Sequence, residues 1–99
     1  MQTRIELDFD GFLPNEKEVS VLKHKFDELQ LRLPSDANIH STIQKELPSS
    51  YIGRVSVASR GRKFIIKASA NQLPKLIAQL ESGVRRQIVQ WRKNQTHYM

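Results

Sequence analysis

A change of period in the second half of the chain constrains its fold most. Tyr51, Gly53, Val55 and Val57 alternate with Ile52, Arg54, Ser56 and Ala58, the period of two of a strand with one buried face. Ser59-Arg60-Gly61-Arg62 supplies a turn. Phe64, Ile66, Ala68 and Ala70 then resume the alternation against Lys63, Ile65, Lys67 and Ser69, which predicts a hairpin. After Asn71 the period lengthens, and Leu73, Leu76, Ile77, Leu80, Val84, Ile88 and Trp91 recur at helical spacing. Arg54, Lys63 and Lys67 are expected on the open face of the hairpin. The polar side of the helix is expected to carry Lys75, Arg85, Arg86, Arg92 and Lys93. Gly83 inside that helix weakens it by about 1 kcal/mol relative to Ala, and so points to close packing there. Trp91, on the stripe of Val84 and Ile88, is expected to seal the end of the core.

Upstream, Ile5, Leu7 and Phe9 alternate with Arg4, Glu6 and Asp8, predicting a half-buried strand that ends near Asp10-Gly11. Asn15 with Glu18 three residues later has the form of a capping box. Val19, Leu22, Phe26, Leu29 and Leu33 follow at spacings of three and four, so the first helix is expected to run until Pro34 and Ser35 stop it. Ala37 to Glu46 reads as a strand with Ile39 and Ile43 on one side and His40, Thr42 and Gln44 on the other; Leu47-Pro48-Ser49-Ser50 breaks it.

The order β-α-β-β-β-α, with one apolar side on each element, predicts an α+β two-layer sandwich: a four-stranded sheet with both helices on one face. The domain is expected to span residues 1–94, with a short polar tail over 95–99. The open face should carry Arg4, Glu6, Thr42, Arg54, Lys63 and Lys67. An RNA-recognition-motif sheet would show aromatics there, but Phe9, Phe26 and Phe64 fall on the buried period and the chain ends on a helix.

Several function classes lose their footing on composition. The 99 residues include no cysteine, which excludes thiol catalysis, iron-sulfur clusters and cysteine-ligated zinc. His24, His40 and His97 lack metal-ligand spacing, and the glycines at 11, 53, 61 and 83 are isolated, so no phosphate loop is present. Glu6, Asp8 and Asp10 would share a strand face, but they have no acidic or histidine partner cluster to complete a metal site. No enzyme activity, cofactor, metal or small-molecule substrate is expected. No apolar stretch has signal-peptide or membrane-spanning length, so a soluble, cytoplasmic monomer with no membrane partner is the expectation.

Charge supplies the positive signal. Residues 1–50 hold six Lys/Arg against nine Asp/Glu, whereas residues 51–99 hold ten against Glu81 alone. Cations concentrated in this way form the electrostatic footprint of a nucleic-acid binder, because each one that meets a phosphate releases condensed counterion. This argument nominates Arg54, Arg60, Arg62, Lys63 and Arg85.

Lys67-Ala68-Ser69-Ala70, a helix reading Leu76-Ile77-Ala78-Gln79-Leu80, and then Arg85-Arg86-Gln87-Ile88-Val89-Gln90-Trp91-Arg92-Lys93 together resemble the short ribosome hibernation-promoting factors, the family that includes protein Y. The topology matches over nearly the whole chain, and the residues match from about Gly53 onward. The chain departs from the family at Asn71-Gln72-Leu73-Pro74-Lys75 and at Gly83. The resemblance implies a protein that docks on the small ribosomal subunit, against ribosomal RNA in the messenger and transfer RNA channel, and inhibits translation by occupancy. Matched by position, it implies RNA contacts at Lys67, Arg86, Arg92 and Lys93. The alternatives are a double-stranded RNA-binding module with an extra leading strand, and a basic domain that meets an acidic protein.

Overall fold

The structure, a computed structural model, describes residues 4–33, 36–47, 49–59 and 61–97; for Arg4, Leu47 and residues 91–97 the description is of the backbone alone. Six elements follow one another: β1 (Arg4–Asp10), α1 (Glu16–Gln30), β2 (Asn38–Leu47), β3 (Ser50–Ser59), β4 (Arg62–Ala70) and α2 (Leu73–His97). This is the expected β-α-β-β-β-α order, and the strands lie in the sheet in chain order, β1-β2-β3-β4.

Connection length decides the sense of each pairing. Short links join β2 to β3 and β3 to β4, so both pairs are antiparallel. Gly61, at φ +77°, takes the left-handed conformation that the tight β3–β4 turn requires. β1 and β2 are separated by a whole helix and pair in parallel, from Arg4 opposite Asn38 to Asp10 opposite Gln44. As a result β4 runs in the same direction as β1. The helices that leave these two strands start from the same end of the sheet and lie side by side in the same sense: Lys25 meets Glu81, and Glu28 meets Arg85.

The start of α1 is the predicted capping box. Asn15 Oδ1 accepts from the Glu18 amide at 2.8 Å, and the Asn15 amide donates to Glu18 Oε1 at 2.9 Å. The end differs from expectation, since α1 stops at Gln30 and Leu31 is its C-cap. The amides of Arg32 and Leu33 then bond back to Leu29 O and Gln30 O, and this tight turn carries Leu33 into the core from outside the helix.

The core lies between the sheet and the helix layer. Leu22, Phe26 and Leu29 of α1 and Leu76, Leu80 and Val84 of α2 close over Ile39, Ile43, Val55 and Val57, all essentially inaccessible to water. α2 packs on β3 and β4. Two glycines permit that approach. A Cβ on Gly53 would stand 2.7 Å from Leu80 Cδ1, and one on Gly83 would stand 2.6 Å from Ile66 Cγ2. Close packing is thus the reason for a glycine in the middle of α2. Phe9, Phe12 and Tyr51 close one end of the core with edge-on ring contacts at 5.8 and 5.4 Å. Among the described residues, no helix is long and apolar enough to cross a membrane.

Candidate nucleic-acid interface

The pleat of β3 and β4 sorts their side chains by parity. Odd-numbered residues of β3 and even-numbered residues of β4 enter the core, which leaves Arg54, Lys63 and Lys67 exposed on the open face. Arg54 is directly opposite Lys67, and Lys63 is opposite Ala58. Directly opposed side chains on one sheet face have Cβ atoms about 4.5–5.5 Å apart, so like charges there repel in the free protein and are relieved by an anion between them. Ile65, 40% exposed, stands between Lys63 and Lys67 on the same face, with Ser56 opposite it. An apolar side chain framed by cations is suited to cover a base or ribose while the cations hold phosphates. The signal for Ile65 was present in the sequence as an apolar residue on the exposed phase of β4.

The rest of the open face follows from the register. One row reads Asp8, Thr42, Arg54, Lys67 across the four strands, and the next reads Glu6, His40, Ser56, Ile65. Acid therefore lies on the β1 side and base on the β3–β4 side. His40 Nε2 is 2.6 Å from Asp8 Oδ2, which ties β2 to the acidic edge. No described aromatic lies on this face, in keeping with the absence of a stacking platform. Among the described residues no cluster of three or more acidic or histidine side chains could hold a metal.

The remaining nominated cations do not join this patch. Arg62 is exposed at the end of the hairpin, but it pairs with Ser59, on the opposite parity from Lys63. Arg85 and Arg86 belong to the helix layer on the far side of the sheet. They are consecutive, so they diverge by about 100° around α2. Arg85 turns toward α1, where its guanidinium lies 3.5 Å from Glu81 Oε2 and 3.9 Å from Glu28 Oε2; Lys25 Nζ reaches Glu81 Oε1 at 3.5 Å. Arg86 is exposed. Arg60 lies outside the described residues, as do the side chains of Trp91, Arg92 and Lys93, although the backbone places the last three on α2. At the start of α2, where a double-stranded RNA-binding module would concentrate its cations, only Lys75 stands.

No protein-family pattern matches the sequence, and no curated protein matches it either. Solved structures do match its fold. A ribosomal subunit interface protein from Coxiella burnetii superimposes with a TM-score of 0.76 and 16% identity, over 91% of this chain and 98% of that one. This chain has the same fold. The N-terminal domain of Protein Y from Thermus thermophilus superimposes with a TM-score of 0.63 and 13% identity, over 91% of this chain and 94% of that one. At these identities the likeness lies in the fold, and the two-layer sandwich expected from the periodicities is the architecture they share.

Proposed function

We propose that this protein is a divergent ribosome hibernation-promoting factor, which binds the small ribosomal subunit through ribosomal RNA and inhibits translation by occupying the messenger and transfer RNA channel. The observation that carries this reading is the near end-to-end superposition on a protein described as a ribosomal subunit interface protein. The exposed trio Arg54, Lys63 and Lys67 supplies a physical means. Arg makes forked contacts to phosphate and Lys provides longer-range attraction, while the shape of the ribosomal cleft gives specificity in place of base reading. Arg86, Arg92 and Lys93 on α2 form a second group of candidate contacts, with Arg62 at the end of the hairpin, Arg60 near it in sequence, and Arg85 beside α1. Action by occupancy involves no chemical step, and the protein acts as a cytoplasmic monomer.

The test is co-sedimentation of the purified chain with small ribosomal subunits across a salt series. Two variants accompany it, one with Arg54, Lys63 and Lys67 changed to Gln and one with Arg86, Arg92 and Lys93 changed to Gln. The expected result is saturation near one protein per subunit, weakened by salt and by each set of changes, with inhibition of a cell-free translation reaction at the same occupancy. A folded sample that fails to bind subunits at low salt overturns the reading.

A further inference from the structure

We propose that the open face of β3 and β4 takes unpaired RNA in preference to duplex, and that Ile65 makes the choice by packing on an exposed base; this rests on the reading of that face as an RNA surface and narrows it to one kind of RNA. The register sets the pattern. From the open end of the hairpin toward its turn, the paired positions on this face are Ile52 with Ser69, Arg54 with Lys67, Ser56 with Ile65, and Ala58 with Lys63. Rows that hold a branched apolar side chain therefore alternate with rows of positive charge. β3 and β4 contain no Asp or Glu. The carboxylates elsewhere in the sheet are Glu6, Asp8 and Asp10 on β1 and Glu46 near the end of β2, and neither strand is adjacent to β4.

Ile65 is 40% exposed at the centre of this pattern. Lys63 and Lys67 stand about 7 Å to either side of it along β4, and Arg54 is on its diagonal across the strands. Its other cross-strand neighbours, Ser56 directly opposite and Ala58 on the second diagonal, are small, so a large part of its surface reaches solvent. Cations alone do not distinguish one RNA from another, because phosphates line the outside of every form. An apolar side chain does. In a duplex the base faces are stacked on one another and only base edges and 2′-hydroxyls reach the surface, whereas an unpaired nucleotide can lay a base face on Ile65. The long flexible stems of Lys63 and Lys67 let their ammonium groups close on the phosphates at either side of that nucleotide. The contact is with a base face and not with hydrogen-bonding edges, so it tolerates any sequence and agrees with recognition by shape.

The experiment uses the full chain and a fluorescein-labelled oligouridine of about 12 nucleotides, which stays unpaired, with binding read by fluorescence anisotropy at fixed salt. Unlabelled oligouridine, an RNA duplex of the same length, polyphosphate and polyglutamate compete at equal charge. The expected result is that oligouridine competes best. Ile65→Thr, which keeps the branched side chain a strand favours, weakens oligouridine binding about fivefold and leaves duplex and polyphosphate binding unchanged. Ile65→Phe supplies a stacking face and strengthens oligouridine binding at least about threefold, with no gain for polyphosphate. Both variants are checked for folding by circular dichroism. The proposal is overturned if duplex, polyphosphate or polyglutamate competes as well as oligouridine, or if both variants bind oligouridine as the unaltered chain does. Co-sedimentation with small ribosomal subunits runs in parallel. Subunit binding without a preference for oligouridine overturns this inference and leaves the ribosomal reading standing, whereas a preference for oligouridine in a chain that binds no subunits supports unpaired RNA from another source.

Discussion

Replacing Gly83 with Ala sets a gain in helix propensity against a clash, and the outcome turns on one methyl group. In an exposed helix the change would stabilise by about 1 kcal/mol. In this protein the new Cβ would stand 2.6 Å from Ile66 Cγ2 and 3.4 Å from Ile66 Cδ1. Carbon atoms pack at about 3.5–4.0 Å, so the first contact is roughly 1 Å too short. Ile66 cannot easily yield. Its Cγ2 is attached at the branch point, χ1 is restricted, and the residue is held in β4 between β3 and α2. Overpacking of this kind costs about 1–3 kcal/mol, so Gly83→Ala should destabilise by roughly 1 kcal/mol net. Ile66→Ala removes the obstructing methyl, and in that background Gly83→Ala should instead stabilise by about 1 kcal/mol. The coupling is therefore about 2 kcal/mol, within the range for residues in direct contact. Ile66→Val keeps Cγ2 and should keep the penalty. Urea unfolding followed by far-ultraviolet circular dichroism measures each corner of the cycle, with an unchanged m-value as the check on two-state behaviour. If Gly83→Ala stabilises the chain equally with Ile or Ala at position 66, the packing argument for this glycine is wrong.

Three further outcomes are expected. The Ser41 hydroxyl is buried with no hydrogen-bond partner among the described residues, so Ser41→Ala should leave stability unchanged or raise it by up to about 1 kcal/mol in the same urea assay. Asn15→Ala removes the accepting half of the α1 capping box and should lower stability by about 1 kcal/mol, read as a fall in urea midpoint. In subunit binding, Arg86→Gln should weaken affinity more than Arg85→Gln, because Arg85 is already engaged by Glu81 and Glu28; equal losses in filter binding at fixed salt would show that Arg85 leaves those partners.

The sheet was legible because its signal is local. A strand with one buried face records its phase in every second residue, and so the open face of β3 and β4 followed from Arg54, Lys63 and Lys67 without knowledge of any neighbour. The stripe on α2 was legible for the same reason, as was the meaning of Gly83, since a glycine amid good helix formers needs a cause from outside the helix. Leu33 misled because its spacing from Leu29 is helical; the turn that follows Gln30 brings it to the same core by another route. The grouping of the cations could not be read locally. Arg85 and Arg86 are neighbours in sequence and belong to different flanks of α2. Which flank meets α1 depends on the relative direction of two helices, and that in turn depends on the pairing sense of all four strands.

Strand order also explains how a chain whose first half carries excess acid can still present a basic surface. Glu6, Asp8 and Asp10 occupy the same open face as Lys63 and Lys67, but at the opposite edge, with β2 and β3 between. At about 4.8 Å per strand the two edges are about 14 Å apart. That exceeds the Debye length of about 8 Å at physiological salt, so the acids barely reduce the attraction that Lys63 and Lys67 exert on phosphate. The facing positions of β2 and β3 in the Asp8 row are Thr42 and Arg54, and in the Glu6 row His40 and Ser56, and Asp8 meets His40 of β2. An arrangement with β1 beside β4 would have put Asp8 next to Lys67 and consumed the basic patch in cross-strand pairs. The parallel β1–β2 unit prevents this by pairing β1 with β2 at the far edge, and the resulting field should orient an incoming polyanion toward the β3–β4 half of the sheet before any contact forms.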